Sequence, residues 1–433
     1  MDETMTYNDA VAVLQNTVVF GMNPSLDSIT KMCEALGNPQ RAYRCVQVAG
    51  SNGKSSTTRM IAALLKAHGL KTALYISPHL VKYSERMEID GRVVSDALFA
   101  ESISKAVEAA EEAGVEATEF ELLTAGALWL FAREGAEVAV LECGLGGRWD
   151  ATTVADSEVA VVTGIALEHT QILGDTVEKI AAEKACIIKE GATAVLAHGV
   201  AARDVFVERA GLVGASVVDA DPASVNVYAE ALEHLPDYQR ANAATAIAAA
   251  EAFLARPLDH GRAALAFAGL TVPGRFEVLR CEPLLMIDAA HNPQSAQVLA
   301  GELSRKFVTA ALPEDVAREQ LRAGVPQAPT LLLGVLADKD VRGVVEALVP
   351  SFFDVVVTAS NSPRSISARR LAGIVEEVSG KAPRVAPTIF SALQMLDGVP
   401  VLATGSITVA GEVKRVFGAR IAQSQHPNSR GTE

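Results

Sequence analysis

The stretch Val46-Gln47-Val48-Ala49-Gly50-Ser51-Asn52-Gly53-Lys54-Ser55-Ser56-Thr57-Thr58 constrains this chain more than any other. A β-branched run ends in a short turn with glycine at both ends. Lysine and hydroxyl residues then open a helix pattern through Met60, Ile61, Leu64 and Leu65. Strand, tight loop and helix start in that order build a phosphate cradle. Glycine lets the backbone wrap closely, amides at the helix N-terminus attract anions, and Lys54 can reach the outer phosphates. One of the first helical hydroxyls, Ser55 or Ser56, would face a magnesium ion or a phosphate oxygen. The common P-loop pattern has a glycine five positions before its Gly-Lys pair; here that position is Val48, so the cradle is a shortened variant. A Gly-Asn turn before an ordinary helix is the plainer alternative, and the strand-to-helix context weighs against it.

The rest of the chain alternates strand and helix. Strands are expected at Tyr43–Val48, Thr72–Ile76, Val138–Leu141 and Val159–Ile165, with a hairpin from Met87 to Val94 around Asp90-Gly91. Helices are expected at Ser95–Ala113, Glu119–Arg133, Thr176–Ile188 and Asp237–Leu254. This predicts an α/β protein whose first domain is a P-loop, doubly wound, mostly parallel sheet. Pro273-Gly274 interrupts the pattern, placing domains at 1–273 and 274–433. The second reads as a smaller, Rossmann-like α/β C-terminal domain. Its strands are expected at Leu284–Asp288, Thr330–Gly334, Val355–Thr358 and Pro400–Thr404.

Charge and cysteine usage narrow the function. A formal net charge of −14 argues against nonspecific nucleic-acid binding, which needs a basic surface. The five cysteines are scattered without CxxC pairing, as expected of reduced thiols in a cytoplasmic protein. No uncharged run reads as a membrane span.

Polar residues at strand ends are the remaining candidates. Glu142 closes an apolar strand, where a carboxylate beside a nucleotide phosphate is a natural magnesium ligand. Ser77 and His169 also follow strands, although a lone serine or histidine there is commonly a cap. Lys184 lies within Ile180-Ala181-Ala182-Glu183-Lys184-Ala185-Cys186-Ile187-Ile188, read as mid-helix with its face turned partly inward. A half-buried lysine needs an acidic partner or a modification, because desolvation disfavours its charge. Asp288 and His291, in Ile287-Asp288-Ala289-Ala290-His291-Asn292-Pro293, either orient a reacting group or cap a turn. The run Gly144-Leu145-Gly146-Gly147 fails as a dinucleotide fingerprint, since its third glycine would fall at Trp149.

Taken together, these residues resemble the folylpolyglutamate synthase/dihydrofolate synthase family, part of the Mur ligase group of ATP-dependent amide-forming enzymes. The likeness runs from about Leu26 to Val416. It includes the cradle, Ser77-Pro78-His79-Leu80, Glu85-Arg86, Thr118-Glu119-Phe120-Glu121, Gly144 to Ala151, Lys184 to Lys189, Asp288 to Pro293, Leu336 to Asp340 and Thr404-Gly405-Ser406. The resemblance implies roles position by position. Gly50, Ser51, Asn52, Gly53, Lys54, Ser55 and Ser56 would hold the phosphates of ATP, with Asn242 and Arg275 at nucleotide-contacting positions. Ser77 and Glu142 would bind Mg2+, helped by His169. Lys184 matches a lysine that the family carbamylates into a further metal ligand. Lys54, Lys184, Asp288 and His291 would carry catalysis.

The expected reaction is ATP-dependent ligation of L-glutamate to dihydropteroate, to a reduced folate, or to both, through an acyl phosphate. A monovalent cation such as K+ is a further expected cofactor, and a monomer the expected state. Four positions depart from the family pattern: Ser51 for threonine, Ser55 for glycine or threonine, Glu168 for aspartate and Thr153 for asparagine. The rivals are a Mur-type ligase with another carboxylate acceptor and an ATP-binding switch that ligates nothing.

Overall fold

The computed structural model describes residues 5–17 and 24–425. Two compact units divide the chain, Met1–Thr271 and Val272–Glu433.

The first unit is organised on an eight-stranded sheet. Its strands are β1 (Arg44–Ala49), β2 (Thr72–Tyr75), β3 (Met87–Ile89), β4 (Arg92–Val93), β5 (Val138–Glu142), β6 (Val159–Val162), β7 (Thr193–Leu196) and β8 (Ser216–Asp219). Their spatial order is β4-β3-β2-β5-β1-β6-β7-β8. All pairings from β2 through β8 are parallel; β3 and β4 add an antiparallel edge. Strands β2, β5 and β6 are buried along their whole length, and β1 along all but its first residue, as expected where helices cover both faces. The chain leaves β1 toward β2 on one side and returns past it to β6 on the other. That reversal makes the C-terminal end of β1 a topological switch point, the place where open α/β sheets bind ligands.

The helix Lys54–Ala67 lies against this sheet through Met60, Ile61, Leu64 and Leu65, none of them exposed. Each such side chain contributes about 1.5–3 kcal/mol of burial. The helix Glu119–Arg133 begins with a capping box. Thr118 Oγ1 accepts from Glu121 N at 3.2 Å, and the Glu121 carboxylate accepts from Thr118 N at 2.8 Å. The cap fixes where the chain enters that helix, and so where Thr118 and Phe120 stand.

The second unit carries β9 (Glu277–Arg280), β10 (Leu285–Ile287), β11 (Thr330–Leu333), β12 (Val355–Val357), β13 (Arg384–Val385) and β14 (Val401–Thr404), ordered β13-β12-β11-β14-β10-β9. Only β9 runs antiparallel to its neighbour. Leu331, Leu333, Val357 and Leu402 form its core with Leu299, Val344 and Val345 from flanking helices. Among the described residues no helix is long and apolar enough to cross a membrane.

Most expected elements stand within a few residues of their predicted bounds. One correction matters for the site. The helix expected over Thr176–Ile188 spans only Val177–Ala185, so Lys184 lies in its last turn instead of at its middle.

Candidate functional site

Beyond β1, residues 50–53 turn the chain into the helix at Lys54. Gly53 holds the helix N-cap at φ +88°, and a Cβ there would stand 2.5 Å from Asn242 Oδ1. Only glycine fits that place without strain. A Cβ on Gly50 would lie 1.9 Å from Thr163 Oγ1, so this end of the loop is pressed onto the segment leaving β6. Ser51 fastens the same contact: its N–H donates to Gly164 O at 2.7 Å, and its hydroxyl accepts from Ala166 N at 3.0 Å.

Gly53 offers no side-chain cap and the helix's first turn carries no acid. This terminus is therefore open to an anion. Lys54 Nζ folds back to donate to Gly50 O at 2.9 Å and Ser51 O at 3.2 Å, which holds the ammonium at the loop itself.

The two hydroxyls that follow have separate partners. Ser55 Oγ donates to Glu142 Oε1 at 2.9 Å, while Glu142 Oε2 accepts from Ser77 N at 3.2 Å. Glu142 is 1% exposed, at the end of the strand paired directly with β1. Ser56 is buried on another side, where its hydroxyl accepts from Gln239 Nε2 at 3.1 Å. Gln239 Oε1 in turn accepts from Asn242 Nδ2 at 2.8 Å. The two serines thus differ in their partners: Ser55 meets the carboxylate, and Ser56 anchors the helix Tyr238–Leu254. Gln239 gave no signal in sequence beyond being a polar residue in an alanine-rich helix.

A second cationic group joins the loop from the far side. Lys184, 2% exposed, donates to Gly50 O at 2.9 Å and pairs with Glu168 Oε1 at 3.3 Å. Burial and then the nearby Lys54 charge lower the Lys184 pKa from its ordinary value. For Glu168, burial alone would raise the pKa. Lys54, Lys184, the Ser51 hydroxyl and His169 outweigh it and hold the carboxyl at about 2. Glu168 is thus the acidic partner that a half-buried Lys184 required, and the sequence noted it only as a departure from aspartate. His169 itself is exposed, at φ +47° before a short helix.

Ser77 also lines a cavity of about 330 Å3, with Pro78, Thr118, Phe120, Gly144, Leu145, Trp149 and Asp150 among its walls. Gly144 lies under the Phe120 ring, where a Cβ would meet Cζ at 2.7 Å. Two aromatic rings, an aliphatic side chain and a few polar groups suit a flat, mostly apolar ligand.

The second-unit residues Arg275, Asp288 and His291 gather at the end of β10. Asp288 is buried, with Oδ2 accepting from Phe276 N and Oδ1 from Ala290 N, both at 2.8 Å. His291 Nδ1 stands 3.0 Å from Ala289 O, and Arg275 Nη1 donates to Gly274 O at 3.1 Å. Asp288 therefore ties its loop to the segment carrying Arg275.

A glycine-flanked turn opening an uncapped helix at a switch point, abutting a buried carboxylate and a separate cavity, is the arrangement expected of an enzyme that uses a nucleotide phosphate to activate a second substrate. The Mur ligase middle domain matches residues 48–233. The dihydrofolate synthase/folylpolyglutamate synthase of Mycobacterium tuberculosis is 33% identical, spanning 92% of this chain and 91% of that protein. A structure of Mycobacterium tuberculosis folylpolyglutamate synthase complexed with ADP superposes with a TM-score of 0.84 at 32% identity, covering 95% of this chain and 98% of that one. A bifunctional folylpolyglutamate synthase/dihydrofolate synthase with Mn, AMPPNP and L-glutamate bound gives a TM-score of 0.80 at 27% identity, covering 96% and 98%. The chain belongs to the dihydrofolate synthase/folylpolyglutamate synthase family of ATP-dependent ligases.

Proposed function

We propose that the chain joins L-glutamate to the carboxylate of dihydropteroate, of a reduced folate, or of both, consuming ATP. The observation that carries this reading is Ser77. Its N–H donates to the Glu142 carboxylate that also receives Ser55, while the same residue lines the 330 Å3 cavity. Phosphate site and acceptor cavity therefore meet at one residue.

A carboxylate is a poor electrophile, so the γ-phosphoryl group of ATP passes to its oxygen, giving an acyl phosphate and ADP. The amine of L-glutamate then attacks the acyl carbon, a proton leaves the nitrogen, and phosphate departs as the amide forms. Lys54 and the Gly50–Ser56 amides would neutralise charge that moves onto the phosphates. Asn242 stands against Gly53, where it would contact the nucleotide, and Arg275 is assigned the same task from the second unit.

The donor set fits Mg2+. Glu142 and Ser55 place hard oxygens side by side at the cradle, and magnesium typically takes one or two protein carboxylates together with substrate phosphates. Among the described residues no group of three or more His, Cys, Asp or Glu side chains could hold a metal by itself. Ser77, Glu142, His169 and a carbamylated Lys184 would hold the ion, which when bound screens the phosphate charge during transfer. Carbamylation consumes a neutral amine, and the lowered pKa of Lys184 supports that role. Asp288 and His291 would serve the reaction from the second unit, with Asp288 fixing the loop that carries His291. The reading includes a monovalent cation such as K+, tested by replacing it with a bulky organic cation. It also includes a cytoplasmic monomer, tested by light scattering.

Purified protein with ATP, Mg2+ and L-glutamate should release phosphate when given dihydropteroate or a reduced folate. No release with either pterin would end the proposal; release with one alone would assign the activity. Lys54→Ala should abolish turnover while leaving the fold intact.

A further inference from the structure

We infer that Gln47 is a positioning residue for the acceptor: its buried side-chain amide holds the loop that forms one wall of the acceptor cavity. The inference rests on the proposed reading of that cavity. Gln47 sits in β1, three residues before the cradle, and is not exposed at all. Its neighbours Val46, Val48 and Ala49 are apolar and equally buried, so the strand gains nothing in packing from an amide there.

The amide faces the turn Ala151–Val154. Nε2 donates to Thr152 Oγ1 at 2.9 Å and to Thr153 Oγ1 at 2.8 Å, with Cys143 Sγ at 3.3 Å. Both threonine hydroxyl protons are already committed, one to Asp150 Oδ1 and the other to Gly147 O. Their oxygens can only accept from Gln47, which fixes the orientation of its amide. The other amide atom, Oε1, is buried without a hydrogen-bond partner. An aliphatic side chain would avoid that orphaned acceptor.

What Gln47 secures lies one step further on. Asp150, held by Thr152, accepts from Gly144 N at 2.8 Å and Leu145 N at 2.9 Å. Gly144, Leu145, Asp150 and Ala151 all line the cavity. Through Thr153 the same amide steadies Gly147, whose Cα is packed so closely on the helix carrying Lys184 that a Cβ would lie 2.7 Å from Glu183 O. A single side chain on the strand leading to the phosphate loop therefore sets the acceptor wall.

The test compares wild type with Gln47→Met, which keeps the volume but loses the donor, and with Thr152→Val, which breaks the next link. Each should raise the KM for dihydropteroate about tenfold, the loss of one hydrogen-bond increment, while the KM for ATP stays within about twofold. The double variant should be no worse than either single one, since both cut the same chain. Amide exchange over residues 144–153 should quicken in both variants, with the 50–56 loop unchanged. An unchanged acceptor KM together with unchanged exchange would overturn the inference, as would equal losses for ATP and acceptor. If wild type itself shows no turnover, the proposed function falls, and the exchange measurement alone decides whether Gln47 holds the wall.

Discussion

Replacing Glu168 by glutamine should destabilise the first unit by an amount set by its two lysine neighbours. The carboxyl is held at about 2 against an ordinary 4.5 by Lys54 and Lys184, in spite of burial. At about 1.4 kcal/mol per pH unit, that depression stabilises the folded state by about 3 kcal/mol at neutral pH. Breaking one side of a buried ion pair can cost about 3–5 kcal/mol when the surviving charge is stranded. Lys184 has an escape, because burial and Lys54 already lower its pKa and it can shed its proton. The lower end, about 3 kcal/mol, is therefore expected. The sign with pH follows from the direction of the shift. A depressed carboxyl stabilises above its unfolded pKa, and the contribution is lost as pH falls toward the folded one. The gap between wild type and Glu168→Gln should thus be full at pH 7 and fall to about half by pH 3. Both tryptophans, Trp129 and Trp149, lie in the first unit, so their fluorescence during urea unfolding reports that unit. Nucleotide-free protein in EDTA and CO2-free buffer, which leaves Lys184 as a free amine, is the sample. A gap under about 1 kcal/mol at pH 7, or one that does not narrow in acid, would show that Glu168 is not the counter-ion of these lysines.

The serine pair should separate function from stability. Ser55→Ala is expected to lower turnover about tenfold or more and raise the Mg2+ requirement, whereas Ser56→Ala, which orphans Gln239, costs about 1–3 kcal/mol of stability with turnover little changed. Steady-state kinetics and urea unfolding on both variants check this. Gly53→Ala forces a side chain to φ +88° and into Asn242 Oδ1, so calorimetric titration with ADP should show affinity reduced at least about tenfold, from a conformational cost alone of about 1–2 kcal/mol. His79 is driven down to about 3, by burial first and by the adjacent Arg86 second. Its imidazole signals should not titrate between about pH 5 and 8. Since the unfolded chain takes up that proton below about 6.5, stability should fall as pH drops through this range, and His79→Gln should soften the fall.

How far the sequence reaches depends on the range of the interactions that decide each feature. The cradle was legible because strand, turn and helix start lie within a dozen residues, and Gly53 and Lys54 act through local backbone geometry. The position of Glu142 was legible because it is the carboxylate on which a wholly apolar strand ends. The choice between Ser55 and Ser56 was not, because it turns on Gln239, 183 positions away. The early end of the Lys184 helix was hidden by Ile187 and Ile188, which continue the apolar spacing but are buried after the helix has stopped. In the second unit β13 is two exposed residues, too short to show a period, and the helix Glu314–Arg322 buries none of its residues in the core. Gln47 shows the limit most plainly. In sequence it is one polar residue in a β-branched run, and that pattern would ordinarily turn it toward solvent. The structure buries it where Thr152 and Thr153, more than a hundred positions away, present two oxygens that accept from its amide. A residue whose partners are settled by the fold can have no local signature, however close it stands to the motif that announces the site.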